Sequence, residues 1–214
     1  MNDIQRTYLP AAGRDWALPL YDPLVKLLGA DKAKRNLLDQ AALQPNDRVL
    51  DVGCGTGTLA MLIKQLYATV DVVGLDPDPR ALTRARDKAR RATVSVQFDQ
   101  GFSDELPYGD ASFNRVFSSF MFHHLQPDVK ERTLSEVRRV LAPGGSLHLL
   151  DLERSESHGI LARHLASHHW KDNSEGRILD LMRQAGFTGP TRVNAGAMLF
   201  SLLRFGYYQG TVTP

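Results

Sequence analysis

The sequence predicts an α/β fold, a doubly wound, seven-stranded and mostly parallel sheet with an N-terminal helical cap. Short apolar runs of strand length alternate with stretches of helical period along most of the chain. A three-glycine turn joins the first of these strands directly to a helix. The 214 residues, 43% hydrophobic and 23% charged, suffice for one core with little left for a second. One domain is therefore expected over 1–214, divided into a cap (1–45), a ligand-binding core (46–152) and the remainder of the sheet with a polar insertion (153–214).

In the cap, an irregular start holding Trp16 and Tyr21 leads to Pro23, which opens a helix broken near Gly29. Its Leu24, Leu27, Leu28, Leu37, Leu38 and Leu43 would cover the core. Arg48 to Asp51 is a short apolar strand, and after the glycine loop Leu59, Leu62, Ile63 and Leu66 repeat at helical spacing. Val70 to Leu75 continues as strand, Pro79 to Arg91 as helix, and Val94 to Phe98 as strand with alternating apolar residues. Beyond a loop through Leu106-Pro107-Tyr108-Gly109-Asp110, Phe113 to Ser118 reads as strand and Val129 to Leu141 as helix, stopped by Pro143-Gly144-Gly145. Ser146 to Leu152 is the fifth strand. A polar, histidine-rich connection precedes a helix over Gly176 to Ala185, Gly186 marks its C-terminal turn, and two last strands follow. In such a sheet ligands lie beyond the carboxyl ends of the strands, where strand order switches, so the loops after Asp51, Leu75, Phe98, Ser118 and Leu152 form the expected site.

Composition excludes several functions. With 26 basic against 24 acidic residues, net +2, no electropositive face for nucleic acid or anionic lipid is expected. The N-terminus lacks the basic start and continuous apolar stretch of a secretory signal. The single cysteine, Cys54, can form neither an internal disulfide nor a cysteine zinc site, and both features point to the cytoplasm. The apolar segment Ala195 to Tyr208 is interrupted by Arg204 and is shorter than the roughly 20 residues a membrane span needs, so it reads as strand. His158, His164, His168 and His169 have no acidic or cysteine partner at a ligand spacing, so no metal is expected. Arg80, Arg84, Arg86, Lys88, Arg90 and Arg91 spread around one helix and read as a solvated face.

The strongest signal is Val49-Leu50-Asp51-Val52-Gly53-Cys54-Gly55-Thr56-Gly57, a strand turning through glycines into a helix. Glycines there permit a tight turn and a close approach, and the helix N-terminus aims unpaired N–H groups at whatever sits before it. Asp76 ends the next strand about 20 residues on, where an acid can accept from both hydroxyls of a ribose. A nucleoside site follows. A dinucleotide is disfavoured, because Thr58 stands where the fingerprint has its last glycine and the Asp51 carboxylate would repel a pyrophosphate, whereas it would hold a cationic amino group.

On these residues the sequence resembles the class I S-adenosylmethionine-dependent methyltransferases, within them the group containing the ubiquinone and menaquinone methyltransferases, over Arg48 to Leu152. The resemblance implies a Rossmann-like methyltransferase fold with S-adenosylmethionine as cofactor and S-adenosylhomocysteine as product. It implies cofactor contacts from Tyr21, Asp51, Gly53, Cys54, Gly55, Gly57, Asp76, Pro77, Phe102, Ser103, Ser118 and Ser119. Asp51, Gly53 and Gly55 would hold the methionine end and Asp76 the ribose. Phe102 departs from the family, which has aspartate there, so adenine recognition would rest on Ser103 and on contacts from the Phe102 ring. Asn114 likewise stands where aspartate is common, at a site more structural than catalytic.

Ser118-Ser119-Phe120-Met121-Phe122-His123-His124-Leu125 follows the fourth strand, where the resemblance places the transferable methyl. His123 or His124 could take a proton from an acceptor; equally, one caps a loop while the other contacts backbone. Trp16, Phe120, Met121 and Phe122 are the expected walls for a small, uncharged or aromatic acceptor such as a quinone or polyketide-like product, with Tyr21 as a lid. Methyl transfer from a sulfonium needs positioning and exclusion of water rather than a covalent intermediate. Cytosine C5 methylation would require a nucleophilic cysteine near the acceptor, and Cys54 sits in the glycine loop. The Asn-Pro-Pro-Tyr type motif of amino-nucleobase methyltransferases is replaced by Ser118-Ser119-Phe120-Met121. A nicotinamide oxidoreductase and a cofactor-binding protein without catalysis remain the alternatives; the acceptor and oligomeric state are not specified by the sequence.

Overall fold

The computed structural model describes residues 29–153, 173–198 and 203–214. Trp16, Tyr21, the leucines before Gly29 and the four histidines of the insertion lie outside them. In chain order the elements are α1 (Ala30–Ala41), β1 (Arg48–Val52), α2 (Thr58–Leu66), β2 (Asp71–Asp76), α3 (Pro79–Arg91), β3 (Gln97–Gln100), β4 (Phe113–Ser119), α4 (Pro127–Val140), β5 (Leu141–Glu153), α5 (Glu175–Gln184), β6 (Thr188–Met198) and β7 (Leu203–Thr211). One seven-stranded sheet results, in the order β3-β2-β1-β4-β5-β7-β6. The first five strands are parallel to their neighbours, and β7 runs antiparallel to both β5 and β6. The strand order reverses between β1 and β4, which is the switch point the alternation predicts.

Alternation along each strand divides the core between two faces. Val49, Phe117, Leu150 and Tyr207 pack with Leu37 and Leu38 of α1, Leu59 and Ile63 of α2, and Leu82 and Ala85 of α3. Leu50, Val116, Leu149 and Tyr208 pack on the other side with Leu134 and Val137 of α4 and Ile178 and Leu181 of α5. The Tyr207 hydroxyl donates to the Ala33 carbonyl (3.2 Å), tying α1 to the sheet.

The local signals explain most boundaries. Asp78 caps α3 by accepting from Arg80 N (2.8 Å), with Pro79 in the first turn. Ser174 caps α5, and Gly186 ends that helix at φ 84°. Gly29, at φ 86°, stands at the N-cap of α1, where the break in the cap helix is expected.

Two segments differ from the sequence expectation. The third strand is Gln97–Gln100 instead of Val94 to Phe98. Thr93 takes a left-handed φ of 54° and Val94 N still donates to Ala89 O (3.0 Å), so Val94 completes the end of α3 while Val96 packs on the core ahead of the strand. The fifth strand begins at Leu141, which pairs with Phe113 before the Pro143-Gly144-Gly145 irregularity, and pairing resumes at Ser146. Ala195 to Tyr208, read as strand, takes in parts of both last strands, which pair antiparallel with Met198 opposite Leu203. No helix among the described residues is long and apolar enough to cross a membrane.

Candidate active site

The loop between β1 and α2 is fixed from beneath. Gly53 N and Cys54 N both donate to the Leu75 carbonyl at the end of β2 (2.8 and 2.9 Å), and Gly57 N closes the turn on Cys54 O (2.9 Å). Gly53, Gly55 and Gly57 have φ of 71°, 54° and 74°, left-handed values that disfavour any side chain. The space a Cβ would need is used by the protein itself at two of them. At Gly53 it would meet Met121 Cγ at 2.3 Å, and at Gly57 the Phe98 ring at 2.8 Å. The Cys54 thiol points inward, against Gly74, and burial with Asp51 and Asp76 nearby holds it protonated.

Two carboxylates meet at this loop. Asp76 accepts from Gly55 N through Oδ2 (2.8 Å) and from Asp78 N through Oδ1 (2.9 Å). Burial raises its pKa above the ordinary carboxylate value, against the lowering effect of those two amides. Each oxygen keeps a lone pair for a further donor. Asp51, next to last in β1, faces the α1–α3 side, is 1% exposed, and has no hydrogen-bond partner for either oxygen among the described residues. Burial pushes it up to about 7. The Lys34 ammonium and the Ala60 amide oppose the shift, the amide by proximity and without hydrogen-bond geometry. A buried carboxylate without partners is expensive, so this position suits a cation arriving from outside the described chain.

The end of β4 supplies the third wall. The Ser118 hydroxyl is buried and has no partner among the described residues. Phe120 follows at a left-handed φ of 55°, strained for an aromatic residue, with its N–H on Leu150 O (2.8 Å) and its ring edge-on to Phe205. That bend lays Met121 over Gly53 and begins a short 3₁₀ turn, Phe122–His124. Phe122 points into the core beneath α4, facing buried Lys130, and has 1% exposure. His123 is buried and its ring Nδ1 bonds to Asp151 of β5; the same carboxylate accepts from His123 N (2.9 Å) and Leu152 N (2.6 Å). His124 is half-buried, its ring centroid 4.0 Å from that of His123.

The remaining candidates fall around these. Phe102 is half-buried in the turn after β3, and Ser103 beside it shares its hydroxyl with Thr133 of α4 (2.9 Å). Pro77 follows Asp76, its carbonyl held by Gln100 (3.2 Å), and Ser119 is half-buried next to Phe120. Asn114 accepts from Arg48 N (2.8 Å), joining the starts of β4 and β1 far from the glycine loop. Two members of the α3 basic run are tethered: Arg86 donates to Phe98 O (2.6 Å), and Lys88 to Thr58 (3.0 Å) and Thr56 (3.3 Å) of the glycine loop. A recess of about 420 Å³ bounded by Asp110, Ser135, Arg138, Arg139 and Val212 opens at the opposite end of the strands. There the arginines are engaged by Glu136, Asp110 and the Gly186 carbonyl. No group of three or more His, Cys, Asp or Glu among the described residues is arranged to hold a metal ion.

Sequence reasoning missed Asp151 and Lys130. Asp151 is an acid inside an apolar strand and lies 0% exposed, while Lys130 is 1% exposed and donates to Asn173 (2.9 Å). A charged residue interrupting a buried strand was the available signal for the first; helical position alone gave none for the second.

With this geometry in hand, residues 49–145 match the family model of a methyltransferase domain. That range is under half of the chain. The chain is 37% identical over 141 residues to an uncharacterised methyltransferase of Synechocystis sp., covering 65% of this chain and 64% of that protein. It is 40% identical over 136 residues to the demethylmenaquinone methyltransferase of Deinococcus radiodurans, covering 62% and 56%. The chain thus spans less than two thirds of the length of these relatives. Among solved structures, the YcgJ protein of Bacillus subtilis aligns with TM-score 0.72 at 17% identity, covering 86% of this chain and 99% of that one, a likeness of fold.

The matched range of the methyltransferase domain takes in the glycine loop, Asp51, Asp76 and the whole turn from Ser118 to His124. It stops within β5, short of Asp151, the partner of His123.

Proposed function

We propose that the chain transfers the methyl group of S-adenosylmethionine to a small-molecule acceptor, leaving S-adenosylhomocysteine. The observation that carries this reading is the Asp51 carboxylate, buried at the switch point and without a hydrogen-bond partner among the described residues. The residues present fit that cofactor. Asp51 would pair with the amino group, and Asp76 would accept from the ribose hydroxyls with the lone pairs its two backbone contacts leave. Phe102 would flank the adenine and Ser118 and Ser119 the methionine side.

When bound, the cofactor supplies a methyl group already activated on a sulfonium. The chain then has to orient and exclude water. Met121 closes one side of the glycine loop, and Phe120 turns the chain so that the β4 end lines the reacting centre. The names of the relatives support a small-molecule acceptor of the quinone or natural-product kind.

Calorimetry tests the reading. Adenosylmethionine and adenosylhomocysteine are expected to bind in the micromolar range, about −8 kcal/mol, and NAD is not. NAD binding in preference to both would refute it, and binding without turnover of any acceptor would reduce the chain to a binding protein.

A further inference from the structure

We propose that Phe205 of β7, seated on Gly196 of β6, sets the depth of an apolar strip that receives the acceptor, and that the strip selects a flat molecule of two or more fused rings. The inference rests on the methyl-transfer reading above and names its substrate class. Phe120 follows β4, Leu152 of β5 stands directly opposite Phe205, and Met198 ends β6. These three are half-buried and pack on the core of the α1–α3 face, to which Phe205 belongs with 6% exposure. Phe205 is thus the floor and the other three the rim. The order β4-β5-β7-β6 gives three gaps between strands, about 14 Å, the length of a nucleus of two or three rings. Asp51 is on the same face but deeper. In register it stands level with Phe117 and His148, and from His148 to Leu152 is four residues, about 13 Å along β5. That interval leaves room for the methionine chain, so the strip is a separate subsite from the one that holds the amino group.

The seat fixes how low the floor lies. A Cβ on Gly196 would stand 2.4 Å from Phe205 Cζ and 2.5 Å from its Cε2, so the ring rests directly against the β6 backbone. That ring in turn holds Phe120 edge-on, with centroids 6.0 Å apart at 87°. Phe120 is strained at its left-handed φ of 55°, and it is kept there by this contact and by its N–H on Leu150 O. Any side chain at position 196 would lift the Phe205 ring into the strip and push on Phe120. A shallow clearance over an aromatic floor admits a planar nucleus, which can pair with the rings offset or edge-to-face; a saturated ring system is thicker and has no π face. Gly196 and Phe205 both lie beyond residues 49–145, so the choice of acceptor is set by a part of the chain that the family model does not cover.

The test uses the full chain saturated with S-adenosylhomocysteine and isotope-labelled at its methionine methyls, with Met198→Leu to assign the signal. The probes are 2-naphthol, which is flat, and decahydro-2-naphthol, its saturated counterpart. The Met198 methyl is expected to shift when 2-naphthol is added, and 2-naphthol to bind about fivefold tighter than the saturated probe, the size of one aromatic pair. In Gly196→Ala the affinity for 2-naphthol falls about tenfold, while that for adenosylhomocysteine is little changed. A glycine with a structural role alone would lower both together. Phe205→Leu keeps the core apolar and is expected to erase the preference for the flat probe, which carries the test should Gly196→Ala not fold. No binding of 2-naphthol by the wild type, a Met198 methyl indifferent to it, equal affinity for the two probes, or a preference that survives Phe205→Leu overturns the proposal. So does Gly196→Ala with 2-naphthol affinity unchanged, or reduced no more than that for adenosylhomocysteine. Failure of adenosylhomocysteine to bind the wild type strikes the cofactor reading itself, and calorimetry separates that outcome from an empty strip with the cofactor in place.

Discussion

Met121 fills the volume that a Cβ on Gly53 would occupy, with its Cγ 2.3 Å from that point. The pair therefore links the glycine loop to the turn after β4. Gly53→Ala is expected to destabilise by about 2–4 kcal/mol, the sum of a left-handed φ for alanine and overlap with Met121. Met121→Ala removes the overlap but not the φ penalty, so the double variant recovers part of the loss, with a coupling of about 1 kcal/mol or more. Urea unfolding of the four proteins in the cycle measures it; strictly additive losses would show that the two side chains are energetically independent.

Asp51 should make the cofactor-free protein less stable as pH rises. Its folded pKa is about 7 against 3.8 for an ordinary aspartate, so the folded state holds the proton more tightly. That contribution is fully present below pH 3.8 and is lost as pH rises through about 7. The full swing is on the order of 4 kcal/mol. Asp51→Asn is expected to be more stable than wild type at pH above 7 and to lose that advantage in acid, while its affinity for adenosylhomocysteine collapses. Adenosylhomocysteine affinity in the wild type should weaken as pH falls below about 7, where the carboxylate protonates. A flat stability difference between the two proteins across this range would contradict the assignment.

His148 acts in the opposite direction. It is buried in β5, hydrogen-bonded through Nε2 to Ser146 Oγ (2.9 Å) and stacked on Phe117, and burial, then Arg115, lowers its pKa from 6.5 to about 4. The folded state resists protonation, so stability is intact above pH 6.5 and falls as pH drops through this window to about 4. The loss amounts to roughly 3 kcal/mol. In His148→Gln the acid-side slope between these values should shrink, as read from unfolding midpoints at closely spaced pH.

Phe102 stands where the resembling family has aspartate. If the ring flanks the adenine, Phe102→Asp restores an acceptor for the exocyclic amine and should bind adenosylhomocysteine more tightly than Phe102→Ala, which only removes apolar contact. The order of the two dissociation constants decides. Should the aspartate variant be the weaker binder with both folded, Phe102 serves the loop rather than the nucleoside.

What the sequence made legible is local. Asp78-Pro79 marks the start of α3, Gly186 the end of α5, and the period of the apolar residues the type of nearly every element, because caps and periodicity act within one or two turns. The glycine loop and Asp76 could be paired in advance because their spacing is set by one strand–helix–strand unit. Residues whose meaning depends on distant partners could not. Asp151 lies 28 residues from His123 in sequence and meets it only because β5 pairs with β4. Lys130 looks like any polar helix residue until Asn173 arrives 43 residues later. The start of β3 was misplaced for a related reason: apolar alternation begins at Val94, but β2 offers partners only from Gln97 onward.

The position of β7 bears on how the molecule is made. Among the described strands, the seventh along the chain lies inside the sheet, between β5 and β6, and pairs with both. Until Leu203–Thr211 has emerged from the ribosome, β5 is an uncovered edge from Ser146 to Glu153, and β6 has nothing to pair with. A nascent chain that already holds the whole glycine loop and the β4 turn therefore still exposes the strand bearing Asp151. Such an intermediate is prone to pair with its neighbours on a polysome, so slow elongation between β5 and β7 would lower the yield of soluble protein.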